Sequence, residues 1–372
     1  MCGIVSKHNV LYVGTDHGIV LTTSLTAPST VHSFASISIV QPDDSKEKKA
    51  SKHSNSSLWI ESICLNANHT LLGATCGDNI LLKNIEPELE KEDDANENCV
   101  RCQTFNNAAA YAVDFLKNNV LAVGGYGGVT LVDTNELEKV VLPIGAAAVL
   151  CVSVSNDGKR MAVGCLDQRV RVYCFDNACN KDCTEDVKNN GKGATSSSTC
   201  NEWKPTDTGD WGGFNGIVQN VKWSMDSAWL AAIGGTSLMV VYKDSHAPIL
   251  CKLPGVAGSG GNNAAVEAGC PQPAAFSGLT WCGLKVEMGL GKGQLLATID
   301  NRNGSCLMYN VMVVDESVPR RCVPVLNVMS CGVGLVLGLL TIDFVVGDDG
   351  DGDVVLVWTS REGVNVHKVE YV

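Results

Sequence analysis

The residues of this chain with the most evident chemistry are its 17 cysteines. Zinc takes about four soft ligands in tetrahedral reach, usually as two close pairs. Cys99 and Cys102 form one Cys-x-x-Cys pair beside an acidic stretch, and Cys174, Cys179, Cys183 and Cys200 gather around a Cys/Asn/Gly/Ser/Thr-rich segment. The pair has no partner pair of equal spacing, and the other four are loosely spaced, with Cys174 inside a strand pattern. These six are therefore metal-ligand candidates whose competing reading is free thiols. Removal of Met1 would place the Cys2 thiol beside its own amine, a nucleophile and a base on one residue. Asp348, Asp349, Asp351 and Asp353 could offer oxygens to calcium, but the terminal Glu of a calcium loop is missing, and Asp with interleaved Gly suits a hairpin turn. Gly289-Leu-Gly-Lys-Gly293 has the glycines and lysine of a phosphate loop, yet no Ser or Thr follows Lys292 and no βαβ pattern surrounds it. The 7 histidines are scattered without a ligand-like pair.

The start "MCGIV" resembles the opening of N-terminal-nucleophile glutamine amidotransferases. That resemblance implies amide attack by Cys2. Nothing downstream resembles the glutamine-binding or oxyanion segments of that family, and Ile4 and Val5 also read as strand.

Any such group needs elements to hold it, and those elements repeat. A strand-turn-strand phrase recurs at Val10–Leu21, Leu71–Leu82, Val120–Val132, Arg160–Val172, Trp229–Val241, Leu295–Met308 and Leu340–Val357. Each copy has an apolar run ending near Gly or Ala, a Gly/Asp/Asn-rich turn and a second apolar run, which reads as a β-hairpin. The stretch "VSVSNDGKRMAVGCLDQRVRVYCFD" at Val152–Asp176 is the clearest, and Val218–Lys243 matches it through Trp223, Ser224, Asp226, Ser227, Trp229, Leu230 and Ala231. These segments resemble WD repeats. No Gly-His pair opens a repeat and no Trp-Asp pair closes one.

The resemblance implies an all-β fold, a seven-bladed β-propeller, with ~40–45-residue units each forming a four-stranded blade. Gly124 and Gly164 are 40 residues apart, one blade pitch, whereas Gly164 and Gly234 are 70 apart. The excess falls in a polar insertion at 177–214; others are placed at about 41–57, 86–98, 254–275 and 283–293. The whole of 1–372 is then a single domain. A fourth strand is expected at Val31–Val40 in the first unit and at Val364–Val372 in the last. No N-terminal outer strand is evident, so ring closure is expected to rest on packing between blades.

Cys322–Ile342 carries no charge and has the length of a membrane helix. Its Pro324 and its Gly332, Gly334 and Gly338 suit buried strands instead, so no membrane span is expected. Met1–Ser6 runs straight into repeat-like strand rather than a secretory signal, which together with the many cysteines predicts an intracellular, cytoplasmic protein with reduced thiols. A net charge of −12 opposes broad affinity for nucleic acid.

The WD-repeat resemblance implies a non-catalytic protein–protein interaction scaffold, without a cofactor, that presents loop faces to proteins or peptide segments of a larger complex. Tyr126, Trp203 and Trp211, aromatics near turns, are the partner-binding candidates, because large flat side chains dominate interface energetics. Trp223, Trp229, Trp281 and Trp358 lie in strand patterns and are expected to be structural. The alternative is an enzyme using Cys2 or a zinc protein using the loop cysteines.

Overall fold

The computed structural model describes residues 2–5, 10–24 except 16, 31–36, 59–85 except 78, 99–102, 109–135, 139–142, 147–175, 203–242, 248–252, 276–288, 291–300, 305–312, 321–328, 342–346, 354–360 and 363–369. Its 27 strands form seven antiparallel sheets, each with its strands in chain order. Blade 1 is β1 to β4 (Cys2–Val5, Val10–Gly14, Ile19–Ser24, Val31–Ser36). Blade 2 is β5 to β8 (Ile60–Leu65, Leu71–Cys76, Asn79–Asn84, Cys99–Cys102), and blade 3 is β9 to β12 (Ala110–Phe115, Val120–Gly125, Gly128–Asp133, Lys139–Leu142). Blade 4 comprises β13 to β16 (Val149–Val154, Arg160–Cys165, Val170–Phe175, Trp203–Trp211). Blade 5 comprises β17 to β20 (Val218–Trp223, Trp229–Gly234, Ser237–Tyr242, Ile249–Lys252). Blade 6 has β21 to β24 (Phe276–Met288, Gly291–Asp300, Ser305–Met312, Arg321–Val328), and blade 7 has β25 to β27 (Ile342–Val346, Val354–Ser360, Gly363–Val369).

The first strands of successive blades lie side by side, β1 against β5 and so on to β21 against β25, and β25 lies against β1. The sheets thus close into a ring with each first strand nearest the axis, the propeller expected from the repeats.

Three expectations need correction. The stretch 177–214, read as an insertion, contains β16, the outer strand of blade 4. Residues 283–293 are largely strand, because β21 and β22 pair as far as Met288 and Gly291. Gly363–Val369 is the third strand of its described sheet rather than a fourth, so the repeat phrase at Leu340–Val357 is the first hairpin of blade 7, whereas the other six phrases are second hairpins. The charge-free run from Cys322 to Ile342 begins in β24 and ends at the first residue of β25. Among the described residues, no helix is long and apolar enough to cross a membrane.

The core lies between blades. Cys64, Ile80 and Leu82 of blade 2 meet Val113, Phe115, Leu121, Val123 and Val132 of blade 3. Trp229, Ile233, Leu238 and Val240 of blade 5 meet Trp281, Leu296 and Tyr309 of blade 6. Alternation along each strand therefore feeds two cores, one on each side, and explains why these strands are apolar on both faces.

First strands are sheet edges, with amides left over after pairing on one side only. At three seams the preceding blade supplies the missing partner. The Val113 amide donates to Ser62 Oγ (3.3 Å), the Val154 amide to Asp114 Oδ2 (2.7 Å) and the Trp223 amide to Ser153 Oγ (3.1 Å). At the following seam the Trp281 indole donates to the Lys222 carbonyl (3.0 Å).

Candidate interaction site

Because strands alternate in direction, the start of every first strand and the turn joining the second and third strands share one face of the ring. On that face five first strands carry the same irregularity. Pairing slips by one residue between Ile60 and Ser62, Ala110 and Ala112, Val149 and Cys151, Val218 and Asn220, and Ser277 and Leu279. The extra residues are Glu61, Tyr111, Leu150, Gln219 and Gly278. A β-bulge re-aims the side chain of its extra residue and leaves it out of the ladder. Here the bulges bring four half-buried side chains, an acid, a phenol, an alkyl group and an amide, to the rim of the central channel. Gly278 fills the fifth position with φ +62°, a conformation that L side chains rarely adopt.

Outside this inner ring runs an arc of exposed apolar residues. Among the described residues, four of the seven exposed large apolar side chains lie on this face: Trp59 (59%), Tyr126 (58%), Leu166 (47%) and Ile217 (37%). Trp59 directly precedes β5, Tyr126 and Leu166 sit in the second-to-third-strand turns of blades 3 and 4, and Ile217 directly precedes β17. They occupy four consecutive blades. Neighbouring blades touch beneath them: Gly124 backs onto Val149 and Gly164 onto Val218, where an added Cβ would come within 2.6 and 2.5 Å of valine methyls. Backbone hydrogen bonds fix the rim, from Ala110 N to Gly77 O (2.7 Å) and from Leu166 N to Ala148 O (2.9 Å).

Electrostatics divide the arc. Around Leu166, Arg171 pairs with Asp167 (2.6 Å) and lies 3.8 Å from Asp210, while Arg169 pairs with Asp210 (2.6 Å). The hydrogen bond from Arg171 holds the Asp167 carboxyl below its ordinary value. At the other end burial pushes the Glu61 carboxyl up. Burial, with Tyr126 alongside, pushes the Tyr111 phenol up, and the two rings meet edge to face at 5.4 Å and 67°.

Of the residues singled out in the sequence, Tyr126 stands on this arc. Trp211 ends β16 half-buried against the core between blades 4 and 5, and Trp203 begins the same strand with its side chain outside the described residues. Trp223, Trp229 and Trp281 are buried. Cys99 and Cys102 lie on β8 and Cys2 on β1, with side chains outside the described residues, and Cys179, Cys183 and Cys200 fall outside them altogether. Cys174 is half-buried on β15, and among the described residues no group of three His, Cys, Asp or Glu is placed to hold a metal. Asp348, Asp349, Asp351 and Asp353 lie outside the described residues, and Gly291–Gly293 is extended strand. Trp59, Glu61, Tyr111, Leu166 and Ile217 carry no sequence signal of their own. Their common feature is position relative to a bulge or turn.

Residues 140–174 match the family model described as WD domain, G-beta repeat. That span runs from the outer strand of blade 3 through the first three strands of blade 4. The chain folds as a β-propeller, and one stretch of it matches the WD repeat. No curated protein sequence matches it. Solved structures share the propeller fold at low identity. A chain in the crystal structure of the mitotic checkpoint complex is 12% identical with a TM-score of 0.63, over 100% of this propeller and 87% of that chain. The Cps50 (Swd1) β-propeller domain of Myceliophteria thermophila is 12% identical with a TM-score of 0.58, over 99% and 96%. U3-55K is 12% identical with a TM-score of 0.60, over 99% and 94%.

Proposed function

We propose that this propeller is a non-catalytic platform that holds segments of partner proteins against the bulged mouth of its channel. The observation carrying this is the convergence of two independent features on one face: the ring of re-aimed bulge residues and the arc of exposed apolar side chains across blades 2 to 5. Exposed aromatic and aliphatic side chains gathered on one face are the kind of anchors that protein-binding surfaces use. The occurrence of a structural neighbour within a checkpoint complex supports the same reading. Burial pushes the Cys151 and Cys165 thiols up, which keeps them in the unreactive protonated form. Burial of Cys64, Cys76, Cys151, Cys165 and Cys282 as small apolar side chains fits a reducing, intracellular setting.

The test is capture of partners from a native extract by the wild-type protein, by a Tyr126→Ala/Leu166→Ser variant and by a Leu250→Ser variant on the outer strand of blade 5. Partners retained by the wild type and the Leu250 variant but lost from the double variant support the reading. Equal retention by all three contradicts it.

A further inference from the structure

We propose that Met225 is a site of reversible oxidation to methionine sulfoxide, and that the Asn156 amide of the preceding blade holds the added oxygen. Met225 stands in the turn joining β17 and β18, on the face opposite the channel mouth, and is 58% exposed. The other methionines with described side chains, Met161, Met239 and Met308, are 0%, 0% and 2% exposed. Of the exposed large apolar side chains among the described residues, Met225 is the one on this face, since four stand at the mouth and Val141 and Leu250 lie on outer strands. A single such group without an apolar neighbour makes no docking patch. What it offers to solvent is an accessible thioether.

Hydrogen peroxide oxidises a thioether by transfer of one oxygen atom. The S–O bond forms and the O–O bond breaks; sulfur gives up two electrons, and the peroxide, reduced by them, leaves as water. A methionine sulfoxide reductase reverses the change, two thiols becoming a disulfide as the oxygen departs as water. The surroundings of Met225 fit the oxidised form better than the reduced one. Asn156 Nδ2 lies 2.9 Å from the Met225 carbonyl oxygen and 3.7 Å from Met225 Sδ. An amide nitrogen has two hydrogens to donate, so the carbonyl takes one and the other is left to a thioether sulfur, a weak acceptor. Oxygen added on that side puts a polar acceptor where a donor already stands. The rest of the joint does not depend on sulfur, because the Asp157 amide of the same turn donates to Ser227 Oγ at 3.0 Å. Oxidation therefore adds a hydrogen bond across the seam between blades 4 and 5 and removes none. In the core, by contrast, a sulfoxide at Met161 or Met239 would bury a polar oxygen among apolar side chains.

The test is graded treatment of the folded, purified protein with hydrogen peroxide, followed by peptide mapping by mass spectrometry and thermal unfolding, on wild type, Asn156→Ala and Met225→Leu. Unfolding before treatment shows that each variant is folded. Met225 should be converted about tenfold faster than Met161, Met239 and Met308. Oxidation should raise the wild-type midpoint by about 1–2 °C, the effect of one added hydrogen bond in a chain of this size, and reductase treatment should restore it. Asn156→Ala, still oxidised at Met225, should lose that rise, and Met225→Leu should not show it, which separates Met225 from the remaining methionines. Conversion of Met225 as slow as that of the three buried methionines overturns the site. A wild-type midpoint that stays or falls on oxidation, or one that rises equally in Asn156→Ala, overturns the role of Asn156.

Discussion

The Asp114 carboxylate accepts a hydrogen bond from the Val154 amide at 2.7 Å across the seam between blades 3 and 4, and a second from its own neighbour Phe115 at 2.9 Å. It sits near the end of β9, the first strand of its blade, and reaches toward blade 4. Burial pushes this carboxyl up, and the Lys222 charge from blade 5 opposes that shift. The same role falls to Ser62 and Ser153 at the adjoining seams, so the ring is stitched by short polar side chains on its innermost strands.

Asp114→Ala removes the acceptor and leaves the Val154 amide unsatisfied in the seam between blades 3 and 4. An expected loss of about 1–3 kcal/mol follows from the cost of a stranded buried donor. Asp114→Asn keeps an acceptor oxygen and should cost clearly less. Equilibrium denaturation of the three proteins reads the difference, and equal stability of Asp114→Ala and wild type would disprove the stitch.

Gly164→Ala should destabilise by about 1–3 kcal/mol, the usual cost of overpacking a close contact. A Cβ at this position would fall 2.5 Å from Val218 Cγ1, on the first strand of the next blade. Cys151 of its own blade, whose Sγ would lie 2.4 Å away, and Val218 of blade 5 would both have to give. A crystal structure or unfolding curve indistinguishable from wild type would show that Cys151 and Val218 do not pack so closely on Gly164.

Glu61→Gln should raise the unfolding midpoint at neutral pH. Burial raises the Glu61 carboxyl in the folded chain, so the folded state disfavours its charged form relative to the unfolded state. That penalty is present above the folded value and disappears as pH falls below the ordinary Glu value of about 4.3. The two proteins should therefore converge in acid and diverge at neutral pH. A midpoint lowered at pH 7 would mean that the carboxylate stabilises the free protein.

Asp167→Asn tests the opposite sign. Arg171 holds the Asp167 carboxyl low, so its contribution is present above the ordinary Asp value of about 3.9 and is lost as pH falls through the lower folded value. The variant should match wild type in strong acid and be slightly less stable near neutrality, the effect being modest for a pair this exposed. A pH-independent difference would assign the loss to packing instead.

Repetition made the blades legible in the sequence, because each second hairpin combines apolar alternation with a turn rich in Gly, Asp or Asn. The glycine spacing had a physical basis as well, since Gly124 and Gly164 are the points where the next first strand closes in. β16 escaped notice because "WKPTDTGDW" carries a proline and few apolar residues. Pro205 is tolerated there because the strand is at the sheet edge. The β21–β22 hairpin resembled a loop because its glycines suggest turns, yet Met288 pairs with Gly291 and Val286 with Gly293. The mouth itself was only partly visible. Tyr126 stood out as an aromatic between glycines, but a bulge is a slip of one residue between paired strands, and one strand alone carries no mark of it. Glu61 and Tyr111 therefore read as ordinary strand positions until their partners were known.

Hydrogen exchange by mass spectrometry on the native complex, compared with the free propeller, measures directly where partners sit. The account predicts slowed exchange at Ile60–Ser62, Gly124–Gly128, Leu166–Gln168 and Ile217–Val218, with little change in the turns of the opposite face at Asn156–Lys159 and Met225–Ser227. Protection confined to that opposite face, or to the outer strands, would contradict it.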